Sequence, residues 1–209
     1  DTGAVLTPEI WNPTTGAWRA VANIAVARAY HSLALLLPNG TVWSGGGGLS
    51  GGAGDHRDAQ IYTPPSLYTS TGSLAVRPTI TDGPAKIGPG NQFTVRATPG
   101  LTKFAFIRMA SQTHSVSTDL RYLSLPFTET SAGVYTLTGN ANSNVMVPGY
   151  WMLFGLNSSG VHSVAKIIQV SLNPDVTLQN PGNQQSAAGD TIQFPIPVSA
   201  LPGTALNYS

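Results

Sequence analysis

Residues 31–48 read HSLALLLPNGTVWSGGGG and give the clearest indication of the type of fold. An apolar run long enough for one strand leads into a Pro-Asn-Gly turn, a short second strand and four glycines, without one acidic residue, lysine or arginine. Asn-Gly between two strand-like runs is a strong signal for a β-hairpin. The stretch therefore predicts two antiparallel strands joined by a tight turn.

The flanking residues extend this hairpin into a repeat. Upstream, Trp11 and Trp18 lie on either side of a Thr15-Gly16 turn, and downstream the segment DAQIYTP (58–64) repeats the register of PEIWNP (8–13). An aromatic pair around a turn, two strands and a glycine run are the layout of a kelch-type propeller blade. Residues 1–65 are therefore predicted to form the last blade and the closing strand of a β-propeller.

This predicted blade is incomplete by itself. Propeller repeats are stable only when neighbouring repeats cover their faces, and one blade with one extra strand cannot do so. We therefore expect the missing N-terminal blades to come from elsewhere. The chain would then be the C-terminal part of a longer protein, or one half of a cleaved one.

The rest of the chain predicts two further β-domains, so the expected fold class is all-β. Segments such as 91–97 and 134–138 alternate between apolar and polar residues and are bounded by turn residues, a pattern typical of strands. Residues 66–172 hold about seven such segments, which favours an immunoglobulin-like β-sandwich. Residues 173–209 are too few for a sandwich of their own. They are predicted to be the truncated start of another immunoglobulin-like domain.

Composition excludes several classes of function. Ten basic and nine acidic residues make up 9% of the 209, against about 25% in an ordinary soluble domain. The net charge of +1 gives no electrostatic reason to bind nucleic acid, and the apolar runs are far shorter than the ~18 residues of a membrane span. There is no cysteine, so a metal in this chain would rest on His, Tyr and carboxylate side chains.

The four histidines and one tyrosine are the candidate ligands. Tyr30 and His31 precede a strand, where neighbouring side chains point to opposite faces, so both can address one centre only at a bend. His114 lies in a polar segment that looks like a hairpin tip. From pattern alone, Tyr30 packing between blades, a hydrogen-bonded His31 and a solvated His114 are the commoner outcomes. His56 and His162 lie in turns and are expected at the surface.

Several stretches in combination carry a resemblance to a known family. They are YHSLALLLPNG (30–40), the glycine run followed by DAQIYTP (58–64), THSVSTDLR (113–121), and PGYWMLF (148–154) closing on SVAK (163–166). Together they resemble the C-terminal portion of the galactose oxidase and glyoxal oxidase family of copper-radical oxidases. The resemblance runs from about residue 9 to about residue 171, and the order and spacing of the stretches make it specific.

The resemblance implies one copper ion on the axis of a kelch propeller, where a hairpin from the immunoglobulin-like early-set domain enters the central pore. By motif position, His31 and His114 match the two imidazole ligands of the copper. Tyr30 matches the axial tyrosine, which is also the catalytic base. Nitrogen and phenolate oxygen are ligands that suit Cu(II). The family's Tyr-Cys thioether radical cofactor belongs to earlier blades and is expected outside this cysteine-free chain.

The resemblance also implies a function for the parent protein. It would be a secreted or cell-surface oxidase that uses O2 to oxidise primary alcohols or aldehydes to aldehydes or acids, with release of H2O2. Its substrate would be a carbohydrate or a small primary alcohol or aldehyde. The alternative is a non-catalytic extracellular carbohydrate-binding or matrix/adhesion module on the same fold. The appended third segment and the many Ser, Thr, Asn and Gln residues favour that alternative.

Overall fold

The structure, a computed structural model, describes residues 3–48, 55–114 and 116–172, together with two short paired strands further along the chain. Within this part of the chain every regular element is a strand, except for one turn of 3₁₀ helix at Pro65–Leu67. The predicted all-β fold class is confirmed. The described residues contain no helix that is long and apolar enough to cross a membrane.

Two small antiparallel sheets make up the N-terminal part. One is the hairpin of β1 (Glu9–Trp11) and β2 (Trp18–Ala20), and the other has the order β3-β4-β5, with bounds Ser32–Leu36, Val42–Gly46 and Ala59–Tyr62. The hairpin predicted from residues 31–48 is the β3–β4 pair, in which Leu36 lies opposite Val42. Its turn ends in Gly40, whose φ of +77° is left-handed and suits glycine.

Residues 80–170 form a sandwich of two sheets, with strand orders β12-β9-β15-β16-β7 and β13-β14-β8-β6. The strands are β6 (Ile80–Asp82), β7 (Lys86–Ile87), β8 (Gln92–Ala97), β9 (Lys103–Arg108), β12 (Tyr122–Ser124), β13 (Phe127–Ser131), β14 (Val134–Thr138), β15 (Gly149–Leu156) and β16 (Lys166–Val170). All neighbours pair antiparallel except β16 and β7. The sheets hold more strands than the sequence predicts, because several of them are too short to show alternation.

A separate hairpin leaves the sandwich between β9 and β12. It consists of β10 (Gln112–Thr113) and β11 (Val116–Ser117), which pair with each other as a two-stranded sheet. The predicted hairpin tip around His114 is therefore present. Of the predicted third domain, the structure describes β17 (Thr177–Leu178) paired with β18 (Val198–Ser199), and the remainder of 173–209 lies outside the described residues.

The hairpin leaves the sandwich from β9, and the sandwich core holds this strand in place. Trp151 is fully buried and stacks on Phe106, with ring centroids 4.9 Å apart. The buried hydroxyl of Tyr135 donates to the Thr98 carbonyl at 2.9 Å and accepts from the Leu101 amide at 3.0 Å. Burying each such aromatic side chain contributes roughly 1.5–3 kcal/mol. Strand β9 crosses this core and pairs with β15 along its whole length, so it is a rigid base for the hairpin.

The β3–β4 hairpin packs on the outer face of the sandwich. Leu36 contacts an apolar cluster formed by Ala105, Met152 and Phe154. The amide of Ala165 donates to the Pro38 carbonyl at 2.8 Å. These contacts join the sheet that precedes residue 65 to the sandwich, so the two parts that carry candidate ligands are held against each other.

His162 lies at this contact and is less exposed than the surface position predicted from its turn. It is half-buried, edge-on to the Phe154 ring at 5.5 Å, and 3.1 Å from Nη2 of Arg77. Burial, and to a lesser extent the Arg77 charge, lower the pKa of His162. The unfolded chain therefore binds the proton more readily, and this contact loses stability as the pH falls through about 6.5. The sequence around His162 predicts a turn, but it gives no sign that the backbone at Gly40 covers the imidazole.

Replacing Gly40 by alanine tests this contact. A Cβ at Gly40 would lie 1.9 Å from Cε1 of His162, whereas at Gly72 and Gly100 it would meet nothing within 4 Å. All three glycines have a left-handed φ, so alanine costs about 1–2 kcal/mol at each. Gly40→Ala is expected to cost a further ~1–3 kcal/mol because the imidazole must move. Thermal unfolding followed by circular dichroism measures this difference, and equal losses in all three variants would contradict the contact.

Candidate metal centre

Three aromatic rings from two distant parts of the chain meet beside the start of β3. Tyr30 and His31 directly precede that strand, and His114 lies between β10 and β11. The ring centroids are 4.0 Å apart for Tyr30 and His31, 5.2 Å for Tyr30 and His114, and 4.9 Å for the two imidazoles. We call these three residues the ring cluster. The structure thus brings together the residues singled out from the sequence, and their role as ligands stays a prediction.

Both histidines of the ring cluster have an unusual backbone. In the described part of the chain, His31 (φ 65°) and His114 (φ 52°) are the non-glycine residues with a left-handed φ. This conformation costs a side-chain-bearing residue about 1–2 kcal/mol. At His31 it breaks the alternation of an extended strand, so the imidazole lies beside Tyr30 instead of on the opposite face. Strain of this kind concentrates at functional sites.

The bend at Tyr30 and His31 is held by the residues around it. The amide of Gly48 donates to the Tyr30 carbonyl at 3.1 Å. Nη1 of Arg28 donates to the Gly46 carbonyl at 2.9 Å and lies 3.1 Å from Oδ1 of Asp58. The Arg28 side chain is only 6% exposed. A buried guanidinium thus joins the ends of β4 and β5 directly behind the bend.

The glycine run has a steric role at this bend. Gly46, Gly47 and Gly48 have φ values of +71°, +104° and +140°, which other residues rarely adopt. A Cβ at Gly46 would lie 3.1 Å from the His31 carbonyl oxygen. The run therefore lets the end of β4 pass close to the His31 backbone.

The imidazole of His114 is oriented by its own hairpin. Oγ1 of Thr113 lies 2.7 Å from Nδ1 of His114, so this ring nitrogen is engaged and Nε2 is left for another contact. A hydrogen bond to one nitrogen is the usual way in which proteins fix a ligating imidazole. At the base of the hairpin, Nε of Arg108 lies 2.8 Å from Oδ2 of Asp119.

The donor set of the ring cluster fits a transition metal. Two imidazole nitrogens and a phenol oxygen are ligands that suit Cu(II). No group of three or more His, Cys, Asp and Glu side chains is placed to hold a metal within residues 3–48, 55–114 and 116–172. A four-ligand copper site would therefore need the phenol of Tyr30 and at least one donor beyond the ring cluster.

Sequence reasoning found the rings but missed the residues that hold them. These are Arg28, Thr113 and Gln112, whose Oε1 accepts from the amide of Ala34 at 2.8 Å. Arg28 does carry a signal, because an arginine two residues before Tyr30 is conspicuous in a chain with 9% charge. Gln112 carries none, since its partner is a backbone amide 78 residues away.

Comparison with known proteins finds a matching family model for the sandwich and similar proteins for most of the chain. Residues 77–170 match the family described as "Galactose oxidase-like, Early set domain". The chain is 42% identical over 173 residues to a galactose oxidase of Gibberella zeae, an alignment covering 82% of this chain and 25% of that protein. It is 30% identical over 158 residues to a WSC domain-containing protein of Arthroderma benhamiae, covering 74% of this chain and 16% of that protein. The chain thus spans a quarter or less of the curated relatives it matches.

A solved structure extends this likeness to three dimensions. It is a fungal alcohol oxidase, described as novel, with catalytic diversity among the AA5 family, and in complex with copper. The match has a TM-score of 0.75 at 35% identity and covers 80% of this chain and 36% of that one. Residues 77–170 are therefore a galactose oxidase-like early-set domain, and the chain is similar to galactose oxidase over most of its own length.

Proposed function

We propose that this chain is the C-terminal part of a secreted copper-radical oxidase that uses O2 to oxidise primary alcohols or aldehydes. With an alcohol, two electrons and two protons pass to O2, giving an aldehyde and H2O2. The observation that carries the proposal is the meeting of Tyr30, His31 and His114, with ring centroids no more than 5.2 Å apart. The family relationship to galactose oxidase and to a copper-bound alcohol oxidase supports it.

The three residues have separate roles in this proposal. His31 and His114 would hold the copper through imidazole nitrogens, and the engaged Nδ1 of His114 makes Nε2 its ligand atom. Tyr30 would hold it through the phenol oxygen. Bound copper would supply Lewis acidity toward an alcohol oxygen and a one-electron redox centre.

Tyr30 is also the proposed general base. Its side chain is 50% exposed, so a substrate hydroxyl can approach Oη. As the phenolate, Oη would accept the hydroxyl proton of the substrate. A positioned acid–base group of this kind contributes about 10²–10⁴-fold to a rate.

The other parts of the site are proposed to lie in N-terminal propeller blades outside this chain. The chain has no cysteine, so a Tyr-Cys radical pair must be supplied from elsewhere. Trp18 and Ile61 are 64% and 54% exposed, as a propeller repeat without its neighbours would leave them.

The second candidate is a non-catalytic extracellular carbohydrate-binding or matrix/adhesion module. The third segment after the sandwich and the many Ser, Thr, Asn and Gln residues favour it. The two candidates differ in one measurement. An oxidase releases H2O2 in a copper-dependent way when the intact protein is assayed over a panel of sugars and small alcohols, whereas a binding module retains the sugar without consuming O2.

His31→Ala and His114→Ala in the intact protein are each expected to weaken Cu(II) binding by at least about tenfold, because each removes one of two imidazole ligands. Calorimetric titration with Cu(II) measures the affinity. His162→Ala is the matched control, since it removes an imidazole outside the ring cluster and should leave copper binding unchanged. If His31→Ala and His114→Ala both bind Cu(II) as tightly as the wild type, the proposed ligand set is wrong.

Tyr30→Phe should keep most of the copper binding, because both imidazoles remain, but lower turnover by about 100-fold or more through loss of the base. Oxygen consumption with saturating substrate measures the rate. Tyr122→Phe is the control, because Tyr122 is similarly exposed at 52% but lies on the sandwich. If Tyr30→Phe keeps the wild-type rate, Tyr30 is not the base.

A further inference from the structure

We propose that Gln112 is a positioning residue that clamps the β10–β11 hairpin to the edge of β3 and so sets where the His114 ring lies relative to Tyr30 and His31. The consequence for copper rests on the proposed function. The clamp itself is a property of the metal-free chain, so it can be tested separately.

The clamp is a side-chain acceptor on a strand edge. Oε1 of Gln112 accepts a hydrogen bond from the amide of Ala34 at 2.8 Å. Ala34 lies in β3, which is the edge strand of the sheet β3-β4-β5 within the described residues. An amide that faces away from the neighbouring strand has no ladder partner, so at this exposed edge its acceptor comes from a side chain or from water. Gln112 supplies the missing acceptor.

The clamp lies close in sequence to both histidines of the ring cluster. Gln112 precedes His114 by two residues, and Ala34 follows His31 by three. Among the described residues, no backbone–backbone hydrogen bond joins the hairpin to β3. The hydrogen bond from Ala34 to Gln112 therefore lies within three residues of both His31 and His114.

The base of the hairpin is held differently. There, Nε of Arg108 lies 2.8 Å from Oδ2 of Asp119, and the Thr118 amide donates to the Ser111 carbonyl at 2.9 Å. These contacts tie the hairpin to its own stem and to the end of β9, not to β3. Without the clamp, the tip would pivot about this base. The strained left-handed backbone at His114 would then have less surrounding structure to hold it.

The geometry predicts which substitutions preserve the clamp. Only an acceptor is used, so Gln112→Glu keeps the interaction, whereas Gln112→Met keeps the length of the side chain without the oxygen. A matched control exists in the same sheet. Oε1 of Gln60 accepts from the amide of Ala25 at 3.1 Å, so Gln60→Met removes the same kind of bond without touching the hairpin.

Hydrogen–deuterium exchange of the metal-free intact protein tests the clamp. Gln112→Met should speed exchange about fivefold in peptides covering Ala34 and the hairpin, since one hydrogen bond is lost. Gln112→Glu should stay near wild type, and Gln60→Met should leave both regions unchanged. If Gln112→Met fails to fold, Gln112→Asn, which is one methylene shorter, takes its place. Unchanged exchange with Gln112→Met, or equal changes with Met and Glu, would overturn the proposal.

The electron paramagnetic resonance spectrum of the Cu(II)-loaded protein tests the consequence for His114. Gln112→Met should alter the copper hyperfine pattern and lower kcat with little change in KM, and Gln112→Glu should restore both. A wild-type spectrum and kcat in Gln112→Met would refute positioning. If the wild-type protein binds no Cu(II), the proposed function fails, and the exchange experiment still decides whether the clamp exists.

Discussion

The left-handed backbone at His31 is the constraint on which the ring cluster depends. With an extended backbone there, Tyr30 and His31 would project to opposite faces, and no hairpin could bring His114 to both. The strand β3 resumes ordinary pairing one residue later, at Ser32 opposite Gly46. Because that partner is glycine, the end of β4 can lie close to the His31 carbonyl. The glycine run thus makes the bend sterically possible.

Assembly of the ring cluster joins two parts of the chain that are more than 80 residues apart. Ordering such a long loop is entropically unfavourable, and a single hydrogen bond of about 1 kcal/mol would not offset it. The sandwich core, with Trp151 and Tyr135 fully buried, supplies the stability, and the packing of Leu36 on that sandwich transmits it to β3. The core therefore brings the two segments together, and short-range contacts then set the rings.

The sequence predicts the local features and misses the long-range ones. The Asn-Gly hairpin and the hairpin tip at His114 follow from turn residues and alternation, and the structure has both. The burial of His162 does not follow, because it depends on a turn more than 120 residues away. The Gln112 bond does not follow either, because a backbone amide has no residue-specific signature in a sequence.

The chain has few charged residues, and two of its arginines form ion pairs close to the ring cluster. Both arginines have little exposed surface, and each lies next to one of the two segments that carry the ring cluster. Arg28 donates to the Gly46 carbonyl and to Asp58. Arg108 forms an ion pair with Asp119 and donates to the carbonyls of Val147 and Pro148. A planar guanidinium can fix several acceptors at once, which a lysine ammonium does not do with the same geometry. In a chain that satisfies most of its surface with uncharged turns, these arginines hold the segments that carry His31 and His114 in place.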